Sequence, residues 1–227
     1  MAQADTTGNL NRVQRRKERV LAALLESAER QFLERGYTNT TLEAIADAAD
    51  IGVGTVYSYF SGKDELFLAI IERGLDLLES YLDEAFDPTR TPRQQLIASG
   101  ESYFRFASDH PRHFRLLNQK EQEIAPGKAD SPVAQRKAQI DARVSRLIER
   151  NARAIRQIIG DAHPALLDAD QIARFDWGAW NGVITLFLQD NAHRFDAVSA
   201  EAALAQGRRL LIAGVEALLA GNATHEW

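Results

Sequence analysis

Small, hydroxylated and aromatic side chains are concentrated in one short stretch of the chain. Gly54, Thr55, Tyr57, Ser58 and Tyr59 lie within six consecutive positions. Small residues let a backbone approach base edges, and tyrosine hydroxyls reach phosphate oxygens. These residue types predict a surface that contacts a nucleic acid.

The stretch that carries these residues has helical periodicity. Val56 and Phe60 are four positions apart and face inward, so Val53–Phe60 is predicted as a short helix with a polar outer face. A helix of this kind fits a major groove about 12 Å wide. Residues 61–64 begin the next helix, where Lys63 and the free backbone N–H groups suit a phosphate.

A further helix precedes this one across a tight turn. Thr40 and Glu43 have the spacing of a capping box. The apolar inner face of this helix comprises Leu42, Ile45, Ala46 and Ala49. Asp50 tolerates a left-handed turn better than most residues, and Gly52 can cap the following helix. Residues 40–60 are therefore predicted to form a helix-turn-helix.

The same stretch resembles a known family. The run from Thr41 to Leu66 reads TLEAIADAADIGVGTVYSYFSGKDEL and is similar to the DNA-binding signature of the tetracycline-repressor (TetR) family. FLERGY at residues 32–37 is similar to the end of that family's first helix, so the resemblance covers roughly residues 20–66. It implies DNA contacts from Thr41, Gly54, Thr55, Tyr57, Tyr59 and Lys63. The predicted DNA-binding set is completed by Thr40, Val53 and Ser58.

The chain departs from the family pattern at the turn. The family usually has Gly-Val-Ser where this chain has Asp50–Gly52, so a serine hydroxyl that could contact phosphate is missing. The turn itself is expected to survive. The resemblance also implies that the remaining helices form a dimerisation and ligand-binding domain. Spacing alone leaves open that residues 40–60 are merely packed helices of an ordinary all-helical protein.

The net charge of −5 is opposite to what a nucleic-acid partner normally favours. At a phosphate backbone, however, the local placement of charge matters more than its sum. Glu18 is opposed by five neighbouring cations, which are Arg12, Arg15, Arg16, Lys17 and Arg19. We therefore predict a basic flexible arm over residues 1–19, which is either solvated or enters a minor groove.

The chain after Leu66 is predicted to be helical, with no strand and no internal repeat. Gly36 is placed to end the first helix, Thr91-Pro92 to begin a later one, and His110-Pro111 to interrupt it. Further long helices are predicted at residues 133–159, 168–192 and 199–219, with a loop at 124–131. The predicted fold is all-α, with a helix-turn-helix DNA-binding domain at 20–66, a helical ligand-binding and dimerisation domain at 67–221 and a tail at 222–227.

The last two predicted helices carry apolar stripes at helical spacing. One stripe comprises Trp177, Trp180, Ile184 and Phe187. Two such helices predict a four-helix dimer interface, because a helix-turn-helix protein that reads a palindrome needs two copies. The alternative is that both stripes are buried inside the monomer. The predicted interface residues are Gly178, Gly182, Leu204, Gly207, Leu211, Gly214 and Leu218.

The middle helices mix aromatic and polar residues, as ligand cavities do. The predicted ligand-binding residues are Phe104, Phe106, His110, Phe114, Trp180 and Asn181, with Tyr103 as a further candidate. Each one alone is also consistent with an ordinary core position. A charged ligand would call for a buried Arg or Lys, whereas Arg105, Arg112 and Arg115 are predicted to point to solvent. The expected ligand is therefore largely apolar.

Several classes of protein and site are disfavoured. The absence of cysteine removes disulfides, thiolate metal sites and cysteine nucleophiles, and suits a reducing cytoplasm. The first residues are polar and no apolar run approaches the ~20 residues of a membrane helix, so we predict a cytoplasmic protein. No motif supports catalysis. Pro111 separates His110 from His113, so no metal and no other cofactor is predicted.

Together these features predict a homodimeric DNA-binding regulator with a palindromic operator and a small-molecule effector. Repression is the expected output, because occupying a promoter requires no additional contact surface. The rival interpretation is a helical enzyme or small-molecule carrier with a fortuitous N-terminal helix trio. Salt-dependent binding to duplex DNA would exclude that rival.

Overall fold

The computed structural model describes residues 3–118, 130–160, 168–189 and 196–220, and over these ranges the chain is helical and contains no strand. The helices are α1 (Gln3–Asn39), α2 (Leu42–Ala48), α3 (Val53–Tyr59), α4 (Lys63–Ala85), α5 (Pro92–Asp109), α6 (Pro111–Asn118), α7 (Pro132–Ile159), α8 (Ala169–Leu188) and α9 (Ala197–Leu219). The predicted all-α class is confirmed. Most of the predicted loop at 124–131 and the whole tail at 222–227 lie outside the described residues.

The described chain forms two compact units. The first contains residues up to Gly74 together with 130–139, and the second contains 75–118 and the described residues from 140 onward. The first unit extends beyond the predicted boundary at residue 66, because the ring of Phe67 packs edge-on against Phe32 and Tyr37 at centroid distances of 5.1 and 5.2 Å.

Helix α1 differs from the prediction at its N-terminal end. Residues 3–19, predicted as a flexible arm, are helical and continue directly into the rest of α1. The helical path is interrupted at Gly36, where φ is +76°, a value that glycine adopts without steric cost. The predicted break at Gly36 is therefore present, and it turns the chain towards α2.

Buried apolar side chains hold the first unit together. Leu24, Phe32, Ile45, Val56 and Leu66 are completely buried, and each contributes about 1.5–3 kcal/mol relative to an exposed side chain. The Ser27 hydroxyl, also buried, donates to the Ile45 carbonyl at 2.9 Å and so links α1 to α2. This core fixes the positions of the two short helices.

The second unit is built around α5, α6, α8 and α9 with the adjoining parts of α4 and α7. Its buried core includes Leu75, Leu78, Phe106, Phe114, Ile140 and Ile184. Helix α5 begins as predicted, because the Thr91 hydroxyl and the Gln94 side chain form a reciprocal capping box ahead of Pro92. Arg143 of α7 pairs with Asp76 and Glu79 of α4, and these carboxylates raise its pKa.

Candidate functional site

The turn between α2 and α3 is formed by its own backbone conformation. Asp50 has φ of +54°, and the Ile51 N–H donates to the Ala46 carbonyl at 3.0 Å. Gly52 then caps α3, with its carbonyl accepting from the Thr55 N–H at 2.8 Å. The roles predicted for Asp50 and Gly52 therefore agree with the structure.

Helix α3 presents its hydroxylated face to solvent. Val56 is completely buried, whereas Val53, Gly54, Thr55 and Tyr57 are exposed, with Tyr57 at 54%. A Cβ atom added to Gly54 would meet no atom within 4 Å, so this backbone is open to a close approach. Within the described chain the hydroxyls of Thr55 and Tyr57 make no hydrogen bond, which leaves both for an external partner.

Two other hydroxyls of α3 already have partners. The Ser58 hydroxyl donates to the Thr55 carbonyl at 2.6 Å, within its own helix. The Tyr59 hydroxyl donates to the Lys17 carbonyl of α1 at 3.3 Å. Ser58 therefore offers less than predicted, and Tyr59 joins the end of α3 to the basic segment of α1.

The two threonines before α2 have different roles. Thr41 is the N-cap, and its hydroxyl accepts from the Ala44 N–H at 3.2 Å. Thr40 was predicted to cap the helix and to contact DNA, and both predictions are wrong. It is 1% exposed, and its hydroxyl is directed at the carbonyls of Gln31 and Gly36 at 3.1 and 2.7 Å. Thr40 holds the end of α1 instead.

Lys63 is less free than predicted. Its ammonium donates to the carbonyls of Tyr37 and Thr38 at 2.8 and 3.4 Å and lies 4.3 Å above the Tyr37 ring. A lysine ammonium has three donors, so one remains for an anion. The Tyr37 hydroxyl also donates to Asp64, whose pKa is raised by burial. Lys63 thus joins the end of α1 to the start of α4.

A carboxylate already occupies the N-terminal end of α4. Glu65 accepts from the Ser61 N–H and the Ser61 hydroxyl, both at 2.8 Å, and these hydrogen bonds lower the pKa of Glu65. Of the backbone N–H groups at the start of this helix that were predicted to suit a phosphate, the Ser61 N–H is therefore satisfied internally. A phosphate at this point would therefore meet the Glu65 carboxylate as well as the Lys63 side chain.

The basic segment of α1 is fully solvent-facing. Its cations are exposed, and they comprise Arg12, Arg15, Arg16, Lys17 and Arg19. Because the Lys17 carbonyl receives the Tyr59 hydroxyl, this positive charge lies beside the C-terminal end of α3. The first unit therefore combines an exposed hydroxylated helix with adjacent positive charge.

The second unit contains a small, partly open cavity. Its volume is about 20 Å³, and it is lined by Leu82, Phe86, Ser99, Gly100, Tyr103, Leu147, Asn151, Asp176, Trp177 and Trp180. Of the predicted ligand residues, only Tyr103 and Trp180 are among them. Asn181 is adjacent, because its side-chain oxygen accepts the Tyr103 hydroxyl at 2.5 Å.

The other predicted ligand residues pack elsewhere in the second unit. Phe106 and Phe114 are buried core residues, and Phe104 packs on Phe187 at 5.5 Å between ring centroids. His110 packs against Tyr81 at 5.7 Å. Their assignment to the ligand is therefore not supported, because the described cavity does not reach them. The described residues contain no group of three or more side chains that could hold a metal ion.

Asp176 is a cavity residue that sequence reasoning missed. Its carboxylate accepts from the Trp180 indole N–H at 3.1 Å. Burial raises the pKa of Asp176 to about 6, against the opposing effects of that hydrogen bond and of Arg208. An acid four positions before a tryptophan, inside an apolar stripe, was the available signal.

Helices α8 and α9 each leave apolar and small residues exposed. Gly178, Gly182, Gly207 and Gly214 face solvent, while Leu211 and Leu218 are half-buried. Leu204 is 6% exposed and belongs to the core of its own protomer, so its assignment to a dimer interface is wrong. The large exposed apolar residues nearby, missed by sequence reasoning, are Phe175 at 68%, Leu186 at 44% and Leu210 at 65%.

None of the described helices has both the length and the apolar character required to cross a membrane.

Family models match both parts of the chain. Residues 24–70 match "Bacterial regulatory proteins, tetR family", and residues 96–210 match "Tetracyclin repressor-like, C-terminal domain". Among curated relatives, the activator FasR of Mycolicibacterium smegmatis is 34% identical over 116 residues, covering 51% of this chain and 52% of FasR. The repressor KstR2 of Mycobacterium tuberculosis is 30% identical over 102 residues, covering 45% and 51%. The chain thus matches about half the length of these relatives.

Solved structures share the fold. A TetR-like regulator from Rhodococcus sp. RHA1 has a TM-score of 0.65 at 26% identity, covering 86% of this chain and 94% of that one. AibR in complex with isovaleryl coenzyme A and operator DNA has a TM-score of 0.64 at 21% identity, covering 82% and 97%.

Proposed function

Because the chain belongs to the TetR family, whose members are transcriptional regulators rather than enzymes, we propose that it represses transcription from a palindromic operator. It binds that operator as a homodimer, and a small molecule held in its second unit releases it. The observation that carries the proposal is the exposed face of α3, where the Thr55 and Tyr57 hydroxyls are unpartnered over a buried Val56.

The proposed DNA contacts follow from the first unit. Gly54 and Thr55 lie early on α3, where a recognition helix meets base edges. Tyr57 supplies a phosphate contact, and the remaining Lys63 donor supplies another. Exposed Thr41 and Val53 complete the surface, and Arg12–Arg19 add sequence-independent attraction.

The proposed dimer uses α8 and α9. Phe175, Leu186 and Leu210 are exposed apolar side chains on these helices, and the exposed glycines between them allow close approach of a partner helix. A second copy is the occupant that suits this face, because a palindrome has two half-sites about 34–36 Å apart.

The proposed effector binds through an apolar body at the aromatic cavity of the second unit. Tyr103, Trp177 and Trp180 line that cavity, and the Tyr103 and Trp177 rings stack at 4.8 Å. The AibR structure contains isovaleryl coenzyme A, which supports the idea that a fold of this kind accommodates a small organic ligand.

The direction of regulation is the part that the relatives leave open, since FasR is named an activator and KstR2 a repressor. Fragments selected from genomic DNA by the purified full chain would identify the operator. Transcription from the promoter that contains this operator, measured with and without the protein, then shows whether the protein represses or activates. Loss of transcription on adding protein supports repression, and a gain contradicts it.

Binding itself is tested by salt dependence. The affinity for the selected duplex should fall steeply between 50 and 200 mM salt, by about 10³-fold or more for six phosphate contacts. A scrambled duplex should bind more weakly and lose affinity with a similar slope. Equal affinity for both duplexes would contradict an operator-specific regulator.

A further inference from the structure

A second concavity opens on the surface of the second unit. This cleft has a volume of about 410 Å³ and is lined by Phe86, Pro88, Arg90, Gln95, Arg150, Arg153, Ala154 and Gln157. Three of these residues are arginines and none is acidic. Cleft residues Arg90, Arg153 and Gln157 are exposed, so the cleft is accessible from solvent.

The positive charge of the cleft is only partly neutralised. Arg150 pairs with Asp83 at 2.7 Å, and Arg90 lies near Asp87, whose pKa is lowered mainly by hydrogen bonds from Thr89 and in part by Arg90. Arg153 makes no ion pair or hydrogen bond through its side chain with any described residue. Guanidinium groups bind carboxylates and phosphates through paired N–H donors, so the cleft favours an anion.

Phe86 lines both the cleft and the cavity, so the two concavities adjoin at this residue. The Arg150 guanidinium lies 4.4 Å above the Phe86 ring, so the cation and the ring share one place in the wall. The cavity, at about 20 Å³, has room for about one water molecule. A larger ligand needs more room than this, and Phe86, which directly follows the last residue of α4, is the residue that the cavity shares with the cleft.

The two spaces have opposite electrostatic character. The cavity contains the Asp176 carboxylate among aromatic rings, whereas the cleft contains the arginines. An anionic group is therefore repelled from the cavity and attracted to the cleft. An apolar group prefers the cavity to the cleft, because Trp177 and Trp180 line the cavity.

We propose that cavity and cleft together form one site for an amphipathic anion, a small molecule with an apolar body and a carboxylate or phosphate head. The body displaces the Phe86 ring and packs against the aromatic wall, while the head binds Arg150 and Arg153. This inference rests on the proposed function, since it specifies the chemical class of the effector.

The test compares four probes with the same eight-carbon chain: n-octyl phosphate, octanoate, 1-octanol and n-octylamine. Binding to the purified 227-residue chain is measured by titration calorimetry and by tryptophan fluorescence. At least one of the two anions should bind about tenfold or more tightly than octanol, because hydrogen bonds to charged groups contribute that much. The preferred anion identifies a phosphate or a carboxylate head.

Variants test which residue binds the anionic head group and whether the Phe86 ring has to move when the probe binds. Arg153→Gln should weaken the preferred anion about tenfold and leave octanol unchanged. Arg112→Gln is the matched control, since Arg112 is an exposed arginine of α6 that lines neither space. Phe86→Ala should speed association of the anion, because the ring no longer has to move.

Three results would overturn the inference: octanol binding as tightly as both anions, octylamine binding most tightly, or Arg153→Gln behaving like Arg112→Gln. DNA binding is measured on the same preparations. Specific DNA binding with charge-independent probe binding contradicts the effector class alone, whereas an absence of specific DNA binding contradicts the proposed function.

Discussion

Trp180 rests directly on the backbone of Gly100. A Cβ atom added to Gly100 would overlap Cζ2 of the Trp180 ring, closer than real Cβ contacts allow. The small residue on α5 therefore determines how closely the α8 tryptophan approaches and where its indole lies in the cavity wall.

Gly100→Ala should displace Trp180 and destabilise the protein by about 1–3 kcal/mol, the usual cost of overpacking. Thermal unfolding and tryptophan emission would report the two effects. Gly54→Ala is the stability control, because its Cβ would meet nothing within 4 Å. It should be neutral or stabilising, since alanine is the better helix former by about 0.5–1 kcal/mol. Equal melting temperatures for the two variants would contradict the contact.

Substitutions on α3 should separate affinity from specificity. Tyr57→Ala should weaken binding to every duplex by a similar factor, because a phosphate contact carries no sequence information. Thr55→Val should change the preferred base, with discrimination altered by about 1–3 kcal/mol. Ser58→Ala is the control, since its hydroxyl is occupied within α3. Titrations against specific and scrambled duplexes measure these effects. If Thr55→Val lowers the affinity for every duplex by the same factor, Thr55 does not contact a base.

Lys63→Met should affect both folding and DNA binding. Removing the ammonium takes away one of the two donors to the Tyr37 carbonyl, which still accepts from the Thr40 N–H at 3.3 Å, so the loss of stability should be about 0.5–1.5 kcal/mol. Loss of one phosphate contact should also reduce the slope of log affinity against log salt by about one. A lower melting temperature with an unchanged slope would show that Lys63 acts only within the protein.

Asp176 should make stability depend on pH. Its folded pKa, at about 6, is above the unfolded value near 3.9, so the folded state binds the proton more tightly. The stabilisation is full below about pH 4 and is lost as pH rises through about 6, amounting to about 3 kcal/mol. The denaturant midpoint should therefore be lower at pH 7 than at pH 4, and Asp176→Asn should remove the part of this difference that Asp176 contributes. Parallel profiles for the two proteins would rule it out.

Leu210→Glu should shift the protein towards monomers while helicity is retained. A charge buried against a partner helix without a counter-ion is strongly unfavourable. Val198→Glu is the control, because Val198 is also exposed, at 76%, but lies at the start of α9 on a different face. Sedimentation of the Leu210→Glu protein as an unaltered dimer would exclude this face as the interface.

The sequence predicted those features that depend on local chemistry. Gly36, Asp50 and Gly52 have backbone roles that their residue types favour, and Thr91-Pro92 begins α5 as expected. Thr40 was misplaced because two adjacent threonines can both cap a helix. Only the position of the Gln31 and Gly36 carbonyls in three dimensions draws Thr40 inward.

The cavity was harder to predict for a related reason. Aromatic residues occur both in packed cores and in cavity walls, so residue type alone did not distinguish Phe104, Phe106 and Phe114 from the cavity residues. Tertiary packing determines which aromatic rings contact each other and which line a cavity. Asp176 was missed because its hydrogen-bond partner, the Trp180 indole, was interpreted only as part of an apolar stripe.

The basic segment of α1 has no buried side chain between Arg12 and Arg19. The segment continues the packed part of α1, and the hydrogen bond from the Tyr59 hydroxyl to the Lys17 carbonyl links it to α3. Its like charges, Arg12 with Arg16 and Arg15 with Arg19, also lie one turn apart and repel. We therefore expect this segment to fray before the core unfolds and the phosphate groups of a duplex to stabilise its helix, so that part of the heat of DNA binding is the enthalpy of forming helix.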